Sequence, residues 1–99
     1  MLFRSQFLKE FLVAAGRMAH AINTAMDAQD WAEARHQAHA LKGAAGSAGA
    51  VRLHQLAGEV QDCLDNGDPD TAGLFVGGLE TTVDELSQSL RPLVEKAIQ

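Results

Sequence analysis

Several kinds of residue are scarce in this chain, and each scarcity removes a class of protein. There is one cysteine, Cys63, so no internal disulfide forms and no zinc knuckle is assembled. That single thiol makes a cytoplasmic setting the expectation. Prolines number two, and 46% of residues are hydrophobic with charges spread along the chain, which is not the composition of a disordered tail. No apolar run approaches the ~20 residues that a membrane span needs. Arg4, Lys9 and Glu10 interrupt the N-terminal stretch where a signal peptide would be continuously apolar. A glycine-rich nucleotide loop is missing, so kinase activity is not expected. The β-branched alternation of strands is missing too, which leaves helices. With 99 residues the chain is read as one domain, residues 1–99, with a modest core.

Charge is the second guide. Eight Lys and Arg stand against thirteen Asp and Glu, a net charge of −5, which argues against nonspecific nucleic-acid binding. Its distribution is uneven. From Ala34 to Gly58 there is no acidic residue, while Arg35, Lys42 and Arg52 are basic and His36, His39 and His54 supply three of the four histidines. A basic island in an acidic chain points to one site for an anion or an acidic partner.

What the chain does have is apolar spacing of three and four residues from end to end. The first predicted helix covers Phe3 to Ala28, with Phe7, Phe11, Met18, Ile22 and Met26 on one stripe and Leu8, Leu12 and Ala19 beside it. Asp30 reads as an N-cap, with Glu33 completing a capping box. The second helix runs from Trp31 to about Gly46 on a thin stripe of Trp31, Ala34, Ala38, Leu41 and Ala45, and Gly46 to Gly49 is the expected bend. The third covers Ala50 to Asp65, burying Leu53, Leu56, Val60 and Leu64. Asn66-Gly67-Asp68-Pro69 stops it and starts the next, with Asp68 as N-cap and Pro69 at the first helical position.

The fourth helix carries a seam of Ala72, Val76, Leu79, Val83, Leu86, Leu90, Leu93 and Ala97. Gly77-Gly78 weakens it, and Pro92 predicts a kink or a fresh start near Ser89 to Arg91. Four amphipathic helices with short connections predict an all-α protein, an antiparallel up-down four-helix bundle.

The second helix is unusual for a scaffold. Gly43 lies mid-helix, where glycine costs about 0.5–1 kcal/mol relative to alanine. It stands four residues after His39, on the same face, and its missing side chain is expected to keep the imidazole uncrowded. Lys42 shares that face, and Ala40, Ala44 and Gly46 keep the surroundings low. A neutral imidazole offers a ring nitrogen lone pair as nucleophile, and a phosphoryl group arriving there needs a cation such as Lys42.

The run His39-Ala40-Leu41-Lys42-Gly43, followed by Gly49, resembles the H-x-L-K-G-x5-G signature of histidine-containing phosphotransfer (HPt) domains. Leu53 and Leu56 continue it as the L-x-x-L step, and Gly43-Ala44-Ala45-Gly46-Ser47-Ala48-Gly49 is similar to HPt modules at the C-termini of bacterial hybrid sensor histidine kinases. The motif covers about a quarter of the chain. The resemblance implies a phosphorelay intermediate in which His39 takes a phosphoryl group from a receiver-domain phospho-aspartate and passes it to another receiver aspartate. It implies Lys42 as the cation near the phosphate and Gly43 as the clearance residue. Leu56-Ala57-Gly58-Glu59-Val60-Gln61 matches the family step that carries a ring-orienting Glu or Gln, making Gln61 that candidate, although an antiparallel register places Gln55 nearer. The implied partners are response-regulator receivers and a sensor histidine kinase. No cofactor of its own is implied, since Mg²⁺ belongs to the receiver's acidic pocket. A monomer without membrane or nucleic-acid contact is expected.

Blander readings stand beside these. The rival function is a non-catalytic helical interaction module with an incidental histidine; a third is the dimerisation helix pair of a histidine kinase. Against that third stand the missing nucleotide-binding portion and the glycine after the lysine, which differs from the usual kinase histidine box with its Pro a few residues on. His36 and His39 offer two metal ligands without a third. His20 and His54 are expected to be solvated, Cys63 to be a small hydrophobe at the core edge, and Trp31 to plug a helix end.

Overall fold

A computed structural model describes the backbone of residues 2–98 and the side chains of residues 6–94. Five helical segments follow in order: α1 (Leu2–Asp27), α2 (Trp31–Ala48), α3 (Val51–Asp65), α4 (Pro69–Val76) and α5 (Leu79–Ile98), and no strand occurs among the described residues. The molecule measures 47 × 20 × 18 Å, its long axis set by helices of 26 and 20 residues. α1 packs on α2 and α5, α2 on α3, and α3 on α4, so the segments close around one apolar interior.

That interior mixes alanines with larger apolar side chains in equal number. α1 buries Phe11, Ala15, Ala19, Ile22 and Ala25. The predicted stripe was rotated: Met18 and Met26 are half-buried, and Phe7 keeps 47% of its surface exposed. α2 buries Ala34, Ala38, Leu41 and Ala45 of its predicted stripe, while Trp31 at its start is exposed. α3 buries Leu53, Ala57, Val60 and Gln61, with Leu56 and Leu64 only half-buried.

Each connection is short because backbone groups at the helix ends are satisfied locally. After α1, Gln29 adopts φ 58° and the Asp30 N–H reaches back to the Ala25 carbonyl, a six-residue closure of the Schellman kind. Asp30 then caps α2 by accepting from the Glu33 N–H at 3.2 Å. Only this half of the predicted capping box forms. The Glu33 carboxylate accepts from Gln37 instead, because the Asp30 N–H is already committed to Ala25. α2 continues past the expected Gly46 to Ala48, and Gly49 at φ 75° makes the reversal, with the Ala50 N–H on the Ala45 carbonyl. The Asn66–Pro69 stretch behaves as predicted: Gly67 has φ 70°, and Asp68 accepts from the Thr71 N–H.

The fourth predicted helix is two segments. α4 ends at Gly77-Gly78, where the Gly78 N–H tightens onto Phe75, and α5 restarts with Gly78 accepting from Thr82. Pro92 makes no fresh start; α5 runs through it. Pro92 and Gln88, the residue whose carbonyl loses its helical donor, are both exposed, so the missing bond falls on the solvent-facing side of the helix. The seam holds from Ala72 to Val83, becomes half-buried at Leu86 and Leu90, and ends at Leu93, which is 57% exposed. Ala97 lies outside the described side chains.

Candidate functional site

With Ala38, Leu41 and Ala45 facing inward, His39 is turned outward along the edge facing α3. Its ring is exposed, and Nδ1 lies 3.3 Å from Oε1 of Gln61. Gln61 is 9% exposed, so the amide that meets the ring is itself fixed by packing. With the amide oxygen turned to the ring, Nδ1 is the donor and Nε2 keeps its lone pair.

Four contacts tie α2 to α3, and they step in opposite directions. Arg35 pairs with Asp65, His39 meets Gln61, Lys42 lies over Gly58, and Gly46 lies under His54. As α2 advances by three or four residues, α3 retreats by the same number, so these two helices run antiparallel. This register brings Gln61 to the histidine and leaves Gln55 exposed, away from it. The alternative favouring Gln55 fails because the chain reverses at Gly49-Ala50, later than the expected bend.

Lys42 is half-buried. A Cβ placed on Gly58 would sit 3.6 Å from its Cε and 4.0 Å from its Nζ, so the stem of the lysine lies across that glycine. Gly43 is exposed, and a Cβ there would meet nothing within 4 Å. The expectation that Gly43 relieves crowding of the imidazole is therefore corrected: the ring does not need that space. What the glycine leaves low is the outer surface next to the ring.

His54 is not solvated as expected. It is half-buried, and its Nδ1 donates to the Lys42 carbonyl at 2.8 Å. Gly46 has a reason of its own here, since a Cβ on it would come within 3.1 Å of that nitrogen. His54 and Gly58 were not singled out as site residues in the sequence, and Gly46 was read as a small residue that keeps the surface low. The available signal was their pairing once the hairpin is folded about Gly49-Ala50: each glycine lies opposite a large side chain.

The basic island is partly neutralised within the fold. The carboxylate of Asp65 accepts from the Arg35 guanidinium, and that hydrogen bond, with the attraction between the charges, raises the arginine's pKa. Arg52 is exposed, as is His36. No three His, Cys, Asp or Glu side chains gather in a metal-binding group among the described residues. His20 stands exposed near Glu80, at 3.8 Å, and Trp31 is more exposed than a plug would be. Cys63 is half-buried at the core edge; burial first, then Asp68, Glu59 and Asp62, push its pKa up and keep it a thiol.

No helix among the described residues is long and apolar enough to cross a membrane. Comparison with curated proteins gives no match, and neither does comparison with solved structures. Comparison with protein-family models does: the model described as Hpt domain matches residues 6–89, spanning α1 through most of α5 and therefore the whole His39 region. With that match covering most of the sequence, this chain belongs to the Hpt domain family.

Proposed function

We propose that His39 is the phosphoryl-carrying residue of this Hpt domain, loaded by a receiver-domain phospho-aspartate and unloaded onto the aspartate of another receiver. Hpt domains act in phosphotransfer within two-component signalling, as carriers rather than kinases. The observation that carries the assignment to His39 is its exposed ring, held through Nδ1 by the buried Gln61 amide.

In this reading the Nε2 lone pair attacks phosphorus in line. An N–P bond forms, the P–O bond to the receiver's aspartate breaks, and the carboxylate leaves with the bonding pair. No proton has to move. The ring keeps its Nδ1–H, and the positive charge gained by the imidazole is met by the Gln61 oxygen. Lys42 faces the phosphoryl oxygens, and Gly43 leaves the surface low enough for a receiver to bring its acyl phosphate into contact. Return transfer reverses each bond change, with an aspartate carboxylate as nucleophile. Mg²⁺ belongs to the receiver, where it neutralises charge on the phosphoryl oxygens.

The helices form an antiparallel up-down bundle in this account, residues 1–99 act as one monomeric cytoplasmic domain without kinase activity, and a sensor histidine kinase stands upstream. Incubation with a phosphorylated receiver tests the assignment. Label should appear on the domain, survive base, be lost in acid and vanish in His39→Gln. Labelling that persists unchanged in His39→Gln rejects His39; a domain that takes no label is behaving as a binding module instead.

A further inference from the structure

We propose that His54 is a positioning residue for the Lys42 cation, clamping the glycine-loosened end of α2 onto α3. This deepens the reading of the site given above and rests on it. Between Lys42 and the end of α2 the sequence has Gly43 and Gly46, and Gly49 forms the cap. Interior glycines loosen a helix, so the stretch that carries the lysine is the least self-supporting part of α2. α3 supplies the reinforcement. His54 Nδ1 donates to the backbone carbonyl of Lys42 at 2.8 Å. That carbonyl has two lone pairs, one for the helical ladder and one for the imidazole.

The surroundings are shaped for this bond. A Cβ on Gly46 would lie 3.1 Å from His54 Nδ1 and 3.3 Å from Cε1, so only glycine lets the ring come this close without displacement. One turn along α3, Gly58 receives the stem of the same lysine, with 3.6 Å from its ideal Cβ to Lys42 Cε. A further turn along, Gln61 meets the His39 ring. One face of α3 thus fixes the Lys42 backbone, the Lys42 stem and the imidazole in successive turns. Because a carbonyl only accepts, His54 must carry its hydrogen on Nδ1, and its role is that of a donor at that place.

The test uses the full chain and potassium phosphoramidate, a small donor whose P–N bond breaks with loss of ammonia as the N–P bond to histidine forms. Phosphohistidine is followed by phosphorus NMR, at temperatures where melting curves show each variant folded. His54→Leu, which removes the donor and keeps much of the volume, should slow labelling of His39 by about fivefold. His54→Asn, whose amide N–H sits near the place of Nδ1, should stay within about twofold of the unaltered chain. In a Lys42→Ala background, His54→Leu should add less than about twofold, because the clamp acts through the lysine. Equal losses for the leucine and asparagine variants overturn the proposal, and so does a fivefold loss that persists without the lysine. Should His54→Leu fail to fold, Gly46→Ala displaces the ring in its place, and labelling at the unaltered rate sinks the clamp. If the unaltered chain takes no label at His39, the assignment of that histidine fails first and the clamp falls with it; normal labelling that is insensitive to His54 rejects the clamp alone.

Discussion

The α2–α3 hairpin and the α4–α5 leg solve opposite problems. α2 buries three alanines and one leucine, and its neighbour α3 reaches across with Gln61, His54 and the bare backbone of Gly58. The α4–α5 leg buries Ala72, Val76, Leu79 and Val83 and sends no hydrogen-bonding side chain toward His39 among the bonds described. Small residues on α2 let backbones approach closely enough for cross-helix hydrogen bonds of ordinary length. Large residues on α5 supply apolar burial that the alanine stripe does not. The comparison teaches that site geometry and stability come from different sides of the same bundle, and substitutions on each side should therefore report differently.

The largest effect is expected on the α5 side. Leu79 is fully buried within the apolar cluster, so Leu79→Ala should cost about 2–5 kcal/mol, from lost transfer energy and the cavity left behind. In a domain of this size that lowers the melting temperature by roughly ten degrees or more. The labelling rate of His39, measured well below the melting point, should not change. A melting point that hardly moves, or a rate that falls with the core intact, would break the division between the two sides.

Gly43→Ala should show the reverse pattern, with a smaller effect on stability. A Cβ there meets nothing within 4 Å, and alanine is the better helix former, so the variant should gain about 0.5–1 kcal/mol. Labelling by the small donor should be unchanged, while transfer from a receiver should slow because the added methyl stands on the surface the partner must cover. A loss of stability would mean that the space beside residue 43 is filled. Receiver transfer at the original rate would remove clearance from the list of reasons for this glycine.

This contrast also explains what could be read without coordinates. The starts of α2 and α4, the caps at Asp30 and Asp68 and the alanine stripe were legible because they depend on local spacing and local hydrogen bonding. His39, Lys42 and Gly43 stood out because each breaks the expectation for a scaffold helix, and the Hpt match covers all three. The partner of His39 was harder. Placing the reversal at Gly46–Gly49 makes Gln55 face the histidine, whereas α2 holds to Ala48 and the reversal at Gly49-Ala50 brings Gln61 there. An error of two or three residues at a turn shifts every cross-helix pair by twice as much. His54 was missed for the same reason: its role exists only in register with Gly46. On α5 the pattern was legible to Val83 but overread beyond it, since regular spacing toward Leu93 carries no information on where the neighbouring helix stops covering it.

The smallest of the three effects is electrostatic and lies at the start of the α4–α5 leg. Asp68 caps α4, and hydrogen bonds from the Thr71 hydroxyl and backbone N–H hold its carboxyl below the ordinary value. A carboxyl depressed in the folded state adds stability at pH values above its unfolded pKa, and that contribution is lost as pH falls through the folded one. Asp68→Asn keeps a capping oxygen but removes the titration. The two proteins should therefore differ slightly in melting temperature near neutrality, with the native chain higher, and the gap should close as the solution is acidified below the usual carboxylate range. α4 has only eight residues, fewer than half as many as α2, so its first turn is a larger share of what the cap supports. Melting curves across that acid window decide the matter: a gap that stays constant with pH would show that the charge on Asp68 contributes nothing to holding this leg, and that its neutral oxygen alone sets the helix start.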